Sequence, residues 1–392
     1  MEHQSPDHPF LPFSCARSLG NIVVPFFTLG VVSLTAMTAV APAAGAQESG
    51  RVRDSMGLRI IEHGELRRPA PFKIAEQPLV DFGGLRTVPS EEVDPRNPML
   101  VARPLSDGRW VVVDWMMLRV FDGRARYIRT IGRPGRGPGE LGQVRDICIT
   151  AGDTIITLGL MDRRLAVFDS SGTPVSTTDF PYARMGADAC LGDGTILVRG
   201  PAVPTGEAND EQVAQVDRVR WDGTPVAPFG LLPAEGLDGM VGVSANIAAS
   251  GDRVYVGNGS TPEYRVYSGF GKLVQIVRWR ARLRRVSPSW REGLTRSGRY
   301  MPGPVQREFL PFYYTIRPAA GNAVWVQDYE IPGASRGYSV FDADGGFVGR
   351  VEALAGTSRG GGVGWVGVDR ILLTWRDDDG APHLTLHRIV AR

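Results

Sequence analysis

The stretch VRDICITAGDTIITLGLMDRRLAVFDSSGTPVSTTDF, residues 144–180, decides the fold of this chain. It holds four short β-prone runs, at 146–149, 154–158, 165–168 and 175–179, separated by Gly/Asp/Ser turns or a short polar loop. Alternating apolar positions in such short runs, bounded by turn residues, are typical of hairpins in an antiparallel sheet. The stretch therefore predicts one four-stranded antiparallel unit.

The same unit returns along the chain with a period of about 46 residues, which falls in the range of propeller blades. A turn containing Gly, Asp or Asn precedes the second strand of each copy, and an aromatic residue followed by Asp or Ser ends the third strand. The aromatic landmarks are Phe121-Asp122, Phe168-Asp169, Trp221-Asp222, Tyr267-Ser268 and Phe341-Asp342. Six copies begin near Met99, Val144, Met185, Val243, Tyr314 and Gly362.

The last copy has no room for a fourth strand before Arg392, whereas an orphan strand at 78–82 precedes the first copy. That strand would complete the last blade and close the ring, which removes a free sheet edge. We therefore predict an all-β fold, a six-bladed β-propeller of four-stranded antiparallel blades. A seventh blade would require an irregular copy within 57–90. Ser287-Pro288, followed by a capping-box pattern at Ser289 and Glu292, predicts a short helical insertion at 287–311.

The first residues have the pattern of an export signal. Arg17 precedes an apolar run over 22–40, and Ala44-Gly45-Ala46 before Gln47 is the small-residue pattern that signal peptidases accept. We expect a signal peptide at 1–46, a linker at 47–70 and the propeller at 71–392. The mature protein would then be periplasmic or extracellular, with no membrane span. An uncleaved N-terminal anchor is the alternative, because the apolar run approaches the roughly 20 residues that cross a bilayer.

The charge balance argues against a nucleic-acid partner. The chain has 44 basic and 42 acidic residues, and its net charge is +2. So small a surplus gives no electrostatic basis for binding nucleic acid. We expect a monomer.

Two cysteines remain after removal of residues 1–46, Cys148 and Cys190. Each follows an aspartate by two residues in the first strand of adjacent predicted blades, so their positions were expected to correspond. First strands converge towards the propeller axis, where a disulfide is feasible. Two buried thiols are the alternative.

Two segments resemble the NHL-repeat type of six-bladed propeller. RPGRGPGEL at 133–141 is similar to the glycine-rich link before a blade in that family, and DRRLAVFD at 162–169 is similar to its strand ending in an aromatic residue and Asp. The resemblance covers about 99–392 and is close only in the second unit. It implies a propeller fold and a habit of binding ligands or partners, and it carries no catalytic residue over.

Signatures of several enzyme classes are absent or fail in context. The sequence has no H-E-x-x-H, no G-x-S-x-G and no Walker lysine. His383 and His387 are four residues apart on a predicted strand. Their positions are therefore about 13 Å apart, which is too far for both to bind one metal ion. Residues 362–367 match G-x-G-x-x-G, but a strand follows, so an inter-blade turn is predicted instead of a dinucleotide site. Asp377-Asp378-Asp379-Gly380 is interpreted as a hairpin turn, because it lacks the later ligands of a calcium loop.

Polar residues in the first strands are the candidate ligand-binding groups, because first strands line the central channel. They are Asp146, Asp188 and Asn246. Some six-bladed lactonase-like enzymes hold calcium there with Asp, Asn and Glu ligands. A channel calcium is therefore possible, but no cofactor is expected. The alternative role is to bond turns and neighbouring backbones.

An alternation of arginine and apolar residues covers 277–285. It fits either an anion-binding edge or an outermost strand kept charged against edge pairing. For function, we expect an exported scaffold that binds an unknown partner protein or small-molecule ligand on one face, without evident catalysis. A calcium-dependent lactonase- or esterase-like hydrolase with its site in the channel is the alternative.

Overall fold

The computed structural model describes residues 50–82, 101–159, 164–179, 187–204, 212–234, 245–288, 292, 308–329, 337–354, 362–377 and 382–392. Residues 1–49, which include the predicted signal peptide and the Ala46–Gln47 cleavage site, lie outside this part. In the described part, no helix is long and apolar enough to cross a membrane.

Six antiparallel sheets form the blades of a propeller, numbered here in chain order. Before the first blade come β1 (Arg51–Ser55), β2 (Leu58–Glu65), β3 (Phe72–Ile74) and β4 (Val80–Asp81). Blade 1 has β5 (Ala102–Pro104), β6 (Trp110–Asp114), β7 (Met117–Phe121) and β8 (Tyr127–Ile131). The link β9 (Arg133–Pro134) and β10 (Glu140–Leu141) leads to blade 2, which has β11 (Val144–Ile149), β12 (Ile155–Gly159), β13 (Arg164–Phe168) and β14 (Pro174–Asp179).

The remaining blades repeat this order. Blade 3 has β15 (Ala187–Cys190), β16 (Ile196–Pro204), β17 (Gln212–Val219) and β18 (Pro225–Pro233). Blade 4 has β19 (Asn246–Ser250), β20 (Arg253–Gly257), β21 (Glu263–Ser268) and β22 (Leu273–Arg280). Blade 5 has β23 (Thr315–Pro318), β24 (Val324–Gln327), β25 (Gly337–Phe341) and β26 (Phe347–Glu352). Blade 6 has β27 (Gly362–Val366), β28 (Arg370–Arg376) and β29 (Pro382–Ala391). The predicted six-bladed propeller is confirmed.

Apolar clusters between neighbouring blades hold the ring together. Each of the six clusters takes its side chains from two adjacent blades, and the last one joins blade 6 to blade 1. In that closing cluster Phe82 is fully buried and packs on Trp110 and Phe121, with ring centroids 5.3 and 5.8 Å away. Because successive residues of a strand point to opposite faces of the sheet, each blade contributes apolar side chains to two clusters.

The predicted closing strand is present. Strands β4 and β3 both pair antiparallel with β29, so that residues from the start of the propeller complete blade 6. The backbone amides of Leu79 and Phe82 donate to β29 carbonyls at 2.7 and 2.8 Å. This pairing removes the free edge of the last sheet.

The predicted linker at 47–70 is wrong for most of its described length. Strand β2 pairs parallel with β22 of blade 4, and β1 pairs with β2. Pro69 then forms a bridge with Arg350 of blade 5, and the amide of Ala70 donates to the carbonyl of Arg350 at 2.9 Å. Residues 51–82, here called the strap, therefore cover the outer edges of blades 4, 5 and 6. The sequence pattern did not predict this strand pairing, because β1 and β2 are not part of the repeat.

The two faces of the propeller differ in their connections. Connections after the first and third strands of a blade lie on one face, here called the turn face, since successive strands run in opposite directions. Those after the second strand and between blades lie on the other, here called the loop face. Turn-face hairpins are tight and share one bonding pattern, as in Asp122, whose amide donates to the carbonyl of Arg126 at 2.9 Å while its carbonyl accepts from Ala125 at 3.0 Å.

The aromatic–Asp landmark of the sequence is explained by these hairpins. The aromatic side chain is buried between blades, and the Asp carboxylate closes the turn. Asp169 Oδ1, for example, accepts from the backbone amides of Ser171 and Thr173 at 2.8 and 2.9 Å. In blade 3 the landmark was misplaced: Val219 is the buried equivalent, Arg220 begins the turn, and Trp221 is 41% exposed.

In the predicted insertion at 287–311, Pro288 and Glu292 are helical, and 289–291 and 293–307 lie outside the described residues. Arg285 and Phe309, which flank the insertion, form an antiparallel bridge.

Candidate binding site at the channel mouth

Arg103 connects three blades at the propeller axis. It lies in β5, the first strand of blade 1, and its Nη2 donates to both carboxylate oxygens of Asp146 in β11, at 2.9 and 3.0 Å. Its Nη1 donates to the carbonyl of Gly364 in β27 at 2.9 Å. Asp146, predicted as a ligand-binding residue of the channel, lies in β11, the first strand of blade 2. Its charge is compensated by a charge-assisted contact in which Nη2 is shared between the two carboxylate oxygens.

Asn246 makes a second inter-blade contact. It opens β19, and its Nδ2 donates to the carbonyl of Tyr314, 3.2 Å away, just before the first strand of blade 5. Its Oδ1 lies 3.4 Å from the amide of Ile316. Tyr314 is 53% exposed and packs edge-on against Tyr329, with ring centroids 6.3 Å apart. Because first strands begin at the loop face, this aromatic pair, of which Tyr314 is the exposed member, lies at the loop-face end of the channel.

Asp188, the third predicted site residue, lies at a bulge in β15, where the register shifts between Ala187 and Ala189. Its side chain is outside the described part. Blade 2 has a bulge too, but there the shift falls between Val144 and Asp146, so Asp146 follows the bulged residue. Asp146 and Asp188 therefore do not occupy equivalent positions.

A channel calcium fits poorly with the described residues. Calcium takes six to eight oxygen ligands in most protein sites. In the described part of the chain, no three Asp, Glu, His or Cys side chains are close enough to hold a metal ion. Asp146 would have to leave Arg103 to become a ligand, and Asn246 is engaged with backbone groups of blade 5.

Cys148 and Cys190 form a disulfide between blades 2 and 3, and their Cα atoms are 6.0 Å apart. Their positions do not correspond, contrary to the expectation. Cys148 pairs with Ile156, the second residue of β12, whereas Cys190 pairs with Ile196, the first residue of β16. Because side chains alternate between sheet faces, this one-residue offset turns the two sulfurs towards each other. Equivalent positions would have pointed both in the same direction around the ring.

The two C-terminal histidines have separate surroundings, as predicted. His383 lies between two carboxylates: its Nδ1 is 2.8 Å from Asp81 Oδ2 and its Nε2 is 3.3 Å from Asp377 Oδ2. Its ring stacks on Trp375, with centroids 4.2 Å apart. His387 instead uses Nδ1 to contact the carbonyl of Ala75 at 2.8 Å.

Two other motifs take different places from those predicted. The G-x-G-x-x-G segment is not an inter-blade turn, since Gly362–Val366 is β27, the first strand of blade 6. The arginine-rich segment is not an outermost edge, since β2 covers β22 and Glu62 Oε1 accepts from Arg278 Nε at 3.0 Å. The sequence could not reveal this cover, because a parallel partner from a distant segment leaves no local signal.

Sequence reasoning missed a buried ion pair beneath the loop face. Arg119 Nε lies 2.5 Å from Asp114 Oδ2, and their side chains are 0% and 4% exposed. The pair holds the hairpin between β6 and β7, on which Trp115 is 40% exposed. The sequence pattern that could have indicated this pair is an Asp followed five residues later by an Arg, because a two-residue hairpin between them places the two side chains on adjacent strands.

Comparisons with known proteins support the fold. The model of the DUF5128 family, a 6-bladed β-propeller, matches residues 104–198. No curated protein matches the chain. A presumed exported protein of Bacteroides fragilis NCTC 9343 is similar in structure, with a TM-score of 0.55 and 11% identity, covering 85% of this chain and 100% of that one.

Two further solved structures are similar. A member of the DUF4221 family from Bacteroides vulgatus ATCC 8482 has a TM-score of 0.52 and 11% identity, covering 84% of this chain and 100% of that one. A gluconolactonase from Xanthomonas campestris has a TM-score of 0.42 and 14% identity, and the match covers 83% of this chain and 98% of that one. Blade count, inter-blade packing and family match agree, and the chain is a six-bladed β-propeller.

Proposed function

We propose that the protein is an exported recognition scaffold that binds a partner protein or ligand on its loop face. The observation that carries this proposal is the difference between the two faces. Turn-face hairpins are short and satisfy their polar groups internally, as Asp122, Asp169 and Asp342 do through backbone amides. On the loop face, the connections between blades occupy longer stretches of sequence, such as 132–143 and 281–314, and variable loops on a rigid scaffold suit recognition.

The loop face also carries exposed aromatic side chains. Tyr314, just before β23, is 53% exposed, and Trp115, on the hairpin between β6 and β7, is 40% exposed. Aromatic side chains contribute large contact area at low entropic cost and are enriched at binding hot spots. Export, to the periplasm or the cell exterior, is supported by the pattern of residues 1–46, and the protein acts as a monomer in this proposal.

Binding requires no channel metal in this account. Arg103 compensates Asp146, and Asn246 ties blade 4 to blade 5, so both polar residues support the ring. A calcium-dependent hydrolase would need these groups released and directed at an ion.

Photo-crosslinking from the two faces tests the proposal. A benzophenone amino acid would replace Trp115 or Tyr314 on the loop face, and Trp221 or Phe270 on the turn face, in the native host. All four side chains are exposed, so each substitution leaves the core intact. We expect one adduct mass from both loop-face positions and none from the turn face. The same adduct from the turn-face positions alone would overturn the proposal.

A further inference from the structure

A cavity of about 350 Å³ lies against the sheet formed by the strap strands β1 and β2 and the outer strand β22 of blade 4, away from the channel mouth. It is lined by Arg51, Glu62, His63, Gly64, Arg278, Trp279 and Arg280. Its size falls at the lower end of small-molecule sites, roughly 300–1,000 Å³. The site therefore has room for a small ligand.

The lining holds three guanidinium groups and one carboxylate, and that carboxylate is already engaged. Glu62 Oε1 accepts from Arg278 Nε at 3.0 Å and from Arg53 Nη2 at 3.3 Å. The hydrogen bond from Arg278 holds the pKa of Glu62 below its ordinary value. Glu62 therefore has little capacity left to compensate a third arginine.

Arg51 faces Glu62 across the β1–β2 register, and its charge helps to lower the pKa of Glu62, so one carboxylate is shared among Arg51, Arg53 and Arg278. In the described part of the chain, neither Arg51 nor Arg280 forms an ion pair of its own. Arg280 lies opposite Glu65 in the β2–β22 register, but the Glu65 carboxylate contacts Arg67 and lies 3.6 Å from Arg282. Arg278 and Arg280 are two residues apart on one strand, so they share a sheet face. The cavity therefore carries an excess of about two positive charges at neutral pH, given that guanidinium groups stay protonated.

A β-bulge opens the site. The register between β2 and β22 shifts between His63 and Glu65, so Gly64 leaves the ladder. A side-chain atom added at Gly64 would meet no other atom within 4 Å. His63 is fixed beside it, with Nε2 donating to the carbonyl of Gly345 at 2.8 Å. Bulges re-aim neighbouring groups and recur beside functional sites.

We propose that this cavity binds a small oxyanion of about two negative charges, with a phosphate monoester as the best match. Guanidinium forks fit phosphate oxygens bidentately, and a dianion balances the excess charge of the lining. The site lies where β22 ends at the outer edge of blade 4, before the loop-face connection 281–314, and it is separate from the channel mouth.

Titration calorimetry with inorganic phosphate, at pH 7.5 and constant ionic strength held with chloride, tests the proposal. Arg51→Gln and Arg280→Gln should each weaken phosphate binding about ten-fold, the loss expected for one charge-assisted hydrogen bond. Arg124→Gln is the matched control, because Arg124 is an exposed arginine on the turn-face hairpin of blade 1. It should bind like the wild type. Gly64→Glu adds a competing carboxylate at an open position and should abolish binding.

Two further arms separate the alternatives. Vesicles containing phosphatidylglycerol should co-sediment the protein no more than neutral vesicles do. Melting temperatures without phosphate should be the same for the wild type and the arginine variants, since both side chains are exposed. An equal response to phosphate and chloride, unchanged phosphate affinity in the Arg51→Gln/Arg280→Gln protein, or vesicle binding that depends on these arginines would each overturn the proposal.

Discussion

Arg103 and Asp146 form an ion pair between the first strands of blades 1 and 2, in which Nη2 lies 2.9 Å from Oδ1 and 3.0 Å from Oδ2. The side chains are 22% and 26% exposed. Arg103 also donates to the carbonyl of Gly364 in blade 6. One side chain therefore joins blades 6, 1 and 2 across the point of ring closure. The best candidate for a ligand-binding carboxylate thus has a structural role in the ring.

Removing either partner of this pair should destabilise the propeller. Asp146→Ala leaves a partly buried guanidinium without its anion, and we expect a loss of about 1–3 kcal/mol in the free energy of unfolding. Urea denaturation followed by tryptophan fluorescence measures it. Asp344→Ala is the matched control, because Asp344 and its partner Arg59 are 76% and 41% exposed, and it should change stability by less than about 0.5 kcal/mol. Equal effects of the two substitutions would contradict this role.

The closing strand should contribute strongly to stability. Phe82 is fully buried between blades 6 and 1, so Phe82→Ala should cost about 3–5 kcal/mol through lost burial and a residual cavity. Leu79→Ala, in the same segment but 40% exposed, should cost less than about 1 kcal/mol. Thermal and urea unfolding of both variants provide the test. A small effect at Phe82 would mean that the ring is closed by other contacts.

The disulfide should be present in the exported protein. Thiol titration of the mature, denatured and unreduced chain should detect no free cysteine. The double variant Cys148→Ser/Cys190→Ser should have a free energy of unfolding about 2–4 kcal/mol lower than that of the wild type, because a disulfide between residues 42 apart restricts the unfolded chain. Two titratable thiols in the mature wild type would refute the bond.

His383 should make stability depend on pH. Burial lowers the pKa of His383, but the hydrogen bonds and charges of Asp81 and Asp377 outweigh it, so the pKa is raised above its ordinary value. A raised folded-state pKa stabilises the protein fully below about 6.5, and the contribution is lost as pH rises through the folded-state pKa. Because Asp81 lies in β4, protonated His383 holds the closing strand. The stability advantage of wild type over His383→Gln should therefore shrink as pH rises.

His387 provides the control for this pH dependence. Burial lowers its pKa, and the hydrogen bond to Ala75 offsets this only in part. The contribution of His387 to the free energy of unfolding is therefore present above its unfolded-state pKa and is lost as pH falls through the folded-state pKa. Urea denaturation between pH 5 and 9 should show opposite slopes for the His383→Gln and His387→Gln differences from wild type. Parallel slopes would contradict the assigned surroundings.

Much of the fold could be predicted because the repeat is local. Short alternating runs, Gly/Asp turns and a constant period define hairpins within one blade, and the orphan strand at 78–82 indicated ring closure. The strap could not be predicted, because β2 adds to blade 4 in parallel and far from it in sequence. The landmark at Trp221 misled because Val219, a small apolar residue, takes the buried position in blade 3.

The site was predicted less well than the fold. Asp146 and Asn246 lie on first strands, as expected from their place in the repeat. Their partners could not be predicted, since Arg103 reaches into two neighbouring blades and blade-to-blade register leaves no pattern in one sequence. The cysteine pair depended on a one-residue offset that the turn spacing alone does not reveal.

Metal analysis of the purified mature protein, with thermal melting in calcium and in chelator, tests most directly whether these inner-strand residues support the ring or hold an ion. The account predicts no stoichiometric metal and the same melting temperature in calcium and in chelator. It also predicts that Asp146→Ala lowers that temperature equally in both. A stoichiometric ion, with a calcium-dependent rise in melting temperature that Asp146→Ala or Asp188→Ala abolishes, would contradict the account and favour the hydrolase.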